Sequence, residues 1–264
     1  MAPKQASALP SHATCDHQAP TPQRGPTDRT SLTETPPRRT HARTAAIVVF
    51  TLGTLLCFLG APIAVDVFTD HEPWALITLA LVELALAVAI VAWWLRRRRL
   101  GADAVGATRA HWKRDAAWGA ATVVPRFLLE FAILIPLAGG IDNDGVQEVL
   151  RNIADGAPAF AAALILGVVG GGIAEELYFR GFLIGAVPRE FANRKRARAV
   201  AIAVSIVLFS LLHLPATMPD LISILVASVT YVALFAWTDR LTAPIVAHSL
   251  WNIVAVLGVA VIYG

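Results

Sequence analysis

Long apolar runs alternate with short polar ones along most of this chain. From Ala45 onward the runs approach or exceed the roughly 20 residues a helix needs to cross a bilayer. The pattern predicts seven spans: 45–65, 74–95, about 116–137, 157 to about 187, 199–214, 220–237 and 242–263. The expected fold is all-α, a polytopic membrane protein with about seven transmembrane helices in a bundle. The fourth span is too long for one perpendicular helix at about 1.5 Å per residue. It contains Gly170-Gly171-Gly172, which predicts a bend or a very close helix contact.

The polar segments assign the ends. Residues 1–43 are rich in Pro, Thr, Ser, Ala and Arg and lack apolar periodicity, so they read as a disordered cytoplasmic tail. No apolar core follows a short basic start, which argues against a signal peptide. Residues 66–73 and 141–156 are acidic loops, the second with a short surface helix at 146–153. Arg96–Arg99 follows a span directly and reads as a cytoplasmic stop, with Trp93 and Trp94 as an interfacial belt. Residues 100–115 are amphipathic and basic, with Arg109, Lys113 and Arg114, and are expected along the inner interface. Residues 188–198 form a basic loop, and 238–241 a tight turn with Asp239 and Arg240. Basic and acidic loops alternate throughout, which puts the amino terminus in the cytoplasm and the carboxyl terminus on the far side. Three regions follow: the tail 1–43, two transmembrane helices with a basic interfacial segment at 44–115, and a helix bundle at 116–264.

Composition agrees. The chain is 56% apolar, with a mean hydropathy of +0.61. Soluble domains are nearer about 45–50% apolar. The net charge of +3 sits unevenly and reads as membrane topology, not as a nucleic-acid surface. Cys15 lies in the tail and Cys57 in a span, so neither a disulfide nor a cysteine metal framework is expected, and Cys15 with His17 makes at most a weak metal site. No solenoid repeat is visible, and no inverted repeat of the kind transporters carry.

What changes the picture is polar residues inside the spans. A charge at mid-bilayer costs on the order of 2.5–3.5 kcal/mol on insertion scales, so such residues mark function by default. Glu83 reads as a packing contact with another helix. Arg126 and Glu130, four apart, read as an internal ion pair. Glu175, Glu176 and Arg180 fall within six residues. Glu176 and Arg180 share a helical face and can pair, while Glu175 points about 100° away and is left for chemistry. Phe209 and His213 are four apart, as are His248 and Asn252. Measured from the basic ends, Glu175, His213 and Asn252 all lie roughly 20 Å deep, and His248 is about one turn shallower. Histidines that merely satisfy separate interhelical hydrogen bonds have no reason to agree in depth. The set suits activation of water: a carboxylate in an apolar pocket as base, a histidine sharing the water, and a second His and an Asn donating to an oxyanion. It equally suits a zinc ion held by Glu175, His213 and His248, and composition does not decide between the two.

Three motifs carry a resemblance. Glu175-Glu176-Leu177-Tyr178-Phe179-Arg180 fits EExxxR, Phe209-Ser210-Leu211-Leu212-His213 fits FxxxH, and His248-Ser249-Leu250-Trp251-Asn252 fits HxxxN. In this order on late spans they resemble the CPBP family of intramembrane proteases, also called the CAAX protease and bacteriocin-processing, or Abi, family. The resemblance covers residues 115–263. It implies an all-helical membrane core and endopeptidase activity within or beside the membrane, and in the eukaryotic branch a prenylated CaaX substrate. It implies Glu175 as the water-activating base with His213 beside it, His248 and Asn252 as the oxyanion hole, Glu176 and Arg180 as structural or assisting groups, and Phe209 as support. The family has been treated both as metalloproteases and as metal-independent glutamate proteases. The second is the reading expected here, with no cofactor required.

The expected partners are a membrane-associated protein or peptide substrate and the lipid bilayer, with no nucleic acid. A chain this rich in Ala, Arg and Val suggests a bacterial plasma membrane. Two readings of other classes stand beside the protease. One is a non-catalytic relative that binds partners or confers bacteriocin immunity. The other is a transporter with midplane carboxylates.

Overall fold

The computed structural model describes residues 37–69 and 74–264. The tail expected at 1–43 therefore lies outside the described residues as far as residue 36. From Pro37 the chain is already helical. Helix α1 (Pro37–Leu55) runs through a wider π turn (Leu56–Gly60) into α2 (Ala61–Thr69). Helix α3 (Trp74–Arg98) follows and takes in three of the stop arginines. Their charges lie at the carboxyl end of the helix, where its dipole favours cations.

The segment 100–115, expected along the inner interface, keeps Arg109, Lys113 and Arg114 exposed but turns inward in part. A 3-10 turn, Ala102–Val105, tucks Ala104 and Val105 into the core. The tight exit is made at Gly106, whose φ of +72° suits glycine. Helices α4 (Trp112–Ala121), α5 (Val123–Leu129) and α6 (Ile135–Leu137), joined through a π turn at Glu130–Leu134, form the next span. The expected surface helix is α7 (Asp144–Ile153), whose Asn143 side chain accepts from the backbone N–H of Val146 at 3.1 Å.

The long fourth span changes helix type along its length. Helix α8 (Ala157–Ile165) passes into a π-helix, Leu166–Ala186. Hydrogen bonding to the fifth residue gives a wider helix that is shorter per residue, so more chain fits across the same thickness. The close contact predicted from the three glycines is real. A β-carbon at Gly172 would lie 2.0 Å from Ser249 Oγ. Helix α9 (Arg194–Leu212), α10 (Met218–Thr238) and α11 (Thr242–Ile262) complete the chain, and no strand occurs among the described residues.

Among the described residues, six helices are long and apolar enough to cross a membrane: Thr40–Val65, Trp74–Arg98, Trp112–Leu137, Ala157–Glu190, Met218–Thr238 and Thr242–Ile262. The remaining expected span, 199–214, corresponds to α9, whose first turns carry Arg194, Lys195, Arg196 and Arg198 and leave a shorter uncharged stretch. Exposed apolar side chains such as Leu52, Leu81, Val124 and Val261 face outward from these helices, as lipid contact requires. The architecture is that of an integral membrane protein.

The π-helix is the hub, with α3, α9 and α11 packed around it. Tyr178, Phe179, Arg180, Phe182 and Glu176 are among the largest fully buried side chains. Trp94 also belongs to this core, its ring against Phe182 with Arg98 over it, so only Trp93 is exposed as an interfacial residue would be. At the basic end, Arg240 forms a two-pronged ion pair with the buried Asp115. Those hydrogen bonds raise the Arg240 guanidinium above its ordinary value. Cys57 is buried and free.

Candidate active site

The buried charges of the π-helix organise the site. Arg180 Nη1 lies 3.1 Å from Glu176 Oε1, the pairing expected from their spacing. The same oxygen is 2.9 Å from His248 Nδ1 on α11. Arg180 also rests over the ring of Phe209 and reaches the carbonyl and hydroxyl of Ser228 at 3.4 and 3.5 Å. Glu176 is thus tied to two helices, and its carboxylate fixes the histidine's tautomer: the Nδ1 proton faces Glu176. His248 is further held by the Tyr231 ring, stacked at 4.5 Å.

Glu175 is arranged otherwise. Its Oε2 is shut off from solvent and has no hydrogen-bond partner among the described residues. It lines a cavity of about 380 Å³ together with His213, His248 and Asn252. All four residues expected in the site therefore meet at one space. His213 caps the carboxyl end of α9, where its Nδ1 lies 2.7 Å from the Phe209 carbonyl and its ring 4.4 Å from the Phe209 ring. A carbonyl accepts, so Nδ1 carries the proton and Nε2 of the neutral ring is left bare. Asn252 donates through Nδ2 to the Gly167 carbonyl at 2.7 Å.

The triple glycine has a separate task at each position. A β-carbon at Gly170 would lie 2.7 Å from Glu83 Oε2. One at Gly171 would lie 2.6 Å from Asn252 Nδ2 and 3.3 Å from His248 Nε2. The one at Gly172 would collide with Ser249, as above. The helix is cut back at three successive positions so that groups from α3 and α11 can reach its surface.

A second cavity, of about 400 Å³, is also lined by His213, His248 and Asn252. Arg126, Glu130 and Asp220 line it, and Glu148 on α7 lines both cavities. The expected Arg126–Glu130 ion pair does not form. Arg126 donates instead to the Tyr231 hydroxyl and stacks over Trp251 at 3.9 Å, while Glu130 accepts from Ser223 at 2.6 Å. Partners on α10 and α11 outcompete the local one.

Among the described residues, no group of three or more His, Cys, Asp or Glu side chains is gathered so as to hold a metal ion. Sequence reading missed Glu83, which lines the Glu175 cavity, and Tyr231 and Gly167, which hold His248 and Asn252. Only Glu83 had a visible signal, a carboxylate in mid-span.

Residues 157–254 match the family described as Rce1-like, type II CAAX prenyl endopeptidase Rce1-like. This segment contains all three motifs and all four expected site residues, in agreement with the resemblance they carry. No curated protein and no solved structure matches the chain.

Proposed function

We propose, from the match of residues 157–254 to the Rce1-like type II CAAX prenyl endopeptidase family, that this chain hydrolyses a peptide bond in a membrane-associated or lipidated protein. The observation that carries the reading is the unpartnered Glu175 carboxylate facing one cavity with His213, His248 and Asn252. In this mechanism Glu175 accepts a proton from water as the water oxygen attacks the carbonyl carbon. The bare Nε2 of His213 accepts a hydrogen bond from the same water. The developing oxyanion receives a hydrogen bond from the second Nδ2–H of Asn252. His248, its Nδ1–H facing Glu176, lines the same cavity beside Asn252. Collapse of the intermediate breaks the C–N bond, and the proton taken from water passes to the leaving amine. No metal is required. The basic loops favour a cytoplasmic amino terminus.

The test is cleavage of a panel of membrane-anchored peptides, prenylated and unmodified, in liposomes. Cleavage that survives chelation and is lost in Glu175→Gln and His213→Ala supports this mechanism. Cleavage lost on chelation and restored by zinc assigns Glu175, His213 and His248 as ligands instead. A wild type that cleaves no peptide while binding one points to the non-catalytic reading.

A further inference from the structure

Glu83 lies on α3, outside the segment that carries the family match. It is 7% exposed, and among the described residues no hydrogen bond or ion pair satisfies its carboxyl group. A carboxyl group without a partner in a membrane span is costly and needs a reason to persist. Packing against a neighbouring helix, the expectation from sequence, does not supply one, since Leu would pack at lower cost.

Two observations give Glu83 a place. It lines the same cavity as Glu175, His213, His248 and Asn252. Its Oε2 also occupies a seat cut into the π-helix, where a β-carbon at Gly170 would stand 2.7 Å away. The next residue, Gly171, provides the equivalent clearance for Asn252 and His248. The backbone is thus opened for Glu83 just as it is for two expected members of the site. The nearest cation of the π-helix, Arg180, is engaged by Glu176 and so does not claim Glu83.

We infer that Glu83 is a positioning residue of the reaction site, a second carboxyl group that holds the attacking water against Glu175. The inference rests on the protease reading above. Water has two O–H bonds. One is directed to Glu175, which takes that proton during attack, and the other to Glu83, which accepts a hydrogen bond and keeps it. The lone pair is then turned to the carbonyl carbon. No bond to Glu83 forms or breaks, and no further reactant is needed. Orientation of this kind is worth up to about a hundredfold in rate, because a water free to tumble seldom presents its lone pair.

The experiment is steady-state cleavage of a membrane-anchored peptide by wild type, Glu83→Gln, Glu83→Leu, Gly170→Ala and the Gly170→Ala/Glu83→Leu double variant, with Glu175→Gln as control. Glu83→Gln keeps an acceptor oxygen in place and is expected within about threefold of wild-type kcat. Glu83→Leu is expected to lose about a hundredfold in kcat with KM unchanged, while melting no lower than wild type. Gly170→Ala displaces the carboxyl from its seat and is expected to lower kcat about tenfold, but to have no further effect in the Glu83→Leu background. If Glu83→Leu misfolds, Gly170→Ala against Glu83→Gln still reads the same coupling. A dead Glu175→Gln beside a Glu83→Leu enzyme of wild-type turnover overturns the role of Glu83 alone. A wild type that cleaves nothing, or a fully active Glu175→Gln, overturns the protease reading and this role with it.

Discussion

Glu175 and Glu176 are neighbours in sequence with the same chemistry, yet the regions they face are built for opposite purposes. On the Glu176 side one carboxylate oxygen is tied twice. Arg180 and His248 close on Oε1 within a packed core, with Phe209 against Arg180 and Tyr231 against His248, while Oε2 of Glu176 has no hydrogen-bond partner among the described residues. On the Glu175 side there is an open cavity, and Oε2 has no partner. A charge held by an ion pair and a hydrogen bond is fixed in place and serves the fold, because removing one partner strands the others. A carboxylate without partners is available to a substrate or a water.

The comparison breaks most visibly at Glu175. Glu175→Gln is expected to lower peptide cleavage about a thousandfold, within the range for loss of a general base. Its melting temperature is expected to equal or exceed that of wild type, since a partnerless buried charge has been removed. Calorimetry and turnover on the same preparation check both halves. Glu176→Ala is the opposite case. It leaves Arg180 buried without its carboxylate and is expected to cost about 3–5 kcal/mol of stability, read as a fall in melting temperature, with activity declining as the fold is lost.

Smaller effects sharpen the picture. Gly172→Ala places a methyl 2.0 Å from Ser249 Oγ and 3.1 Å from Ser249 Cα, so the backbone of α11 must move. Overpacking of this kind costs about 1–3 kcal/mol, and denaturation midpoints in detergent are expected to fall accordingly. Because α11 carries His248 and Asn252, kcat is expected to drop with it. At the basic end, Asp239→Ala removes an exposed pair with Arg198. The expected loss is under about 1 kcal/mol, with no change in turnover. A large change there would mean that the surface loops and the site are coupled.

The sequence made the site more legible than its surroundings. EExxxR, FxxxH and HxxxN each place two side chains on one helix face, and depth along the helices brought Glu175, His213 and Asn252 to one level. Those inferences need only local geometry. Partner choice between helices was not legible in the same way. Arg126 and Glu130 have ideal spacing for an ion pair, but Tyr231 and Ser223 compete from another helix. Trp94 sits at the height of a belt residue yet turns inward to Phe182. The π winding of Leu166–Ala186 was hidden because apolar composition reads the same for either helix type. The basic segment 100–115 looked interfacial, but Gly101 and Gly106 let a short turn drive Ala104 and Val105 inward. Glu83 was read as packing because nothing in its own helix indicates a shared cavity.

The most direct test of the division between the two glutamates is a side-by-side measurement on Glu175→Gln and Glu176→Gln. Cleavage of one membrane-anchored peptide would be normalised to the folded fraction of each, with the melting temperature of each recorded. The account predicts a well-folded, inactive Glu175→Gln and a Glu176→Gln whose melting temperature falls clearly below wild type. A Glu175→Gln enzyme that is folded and cleaves at the wild-type rate would contradict it.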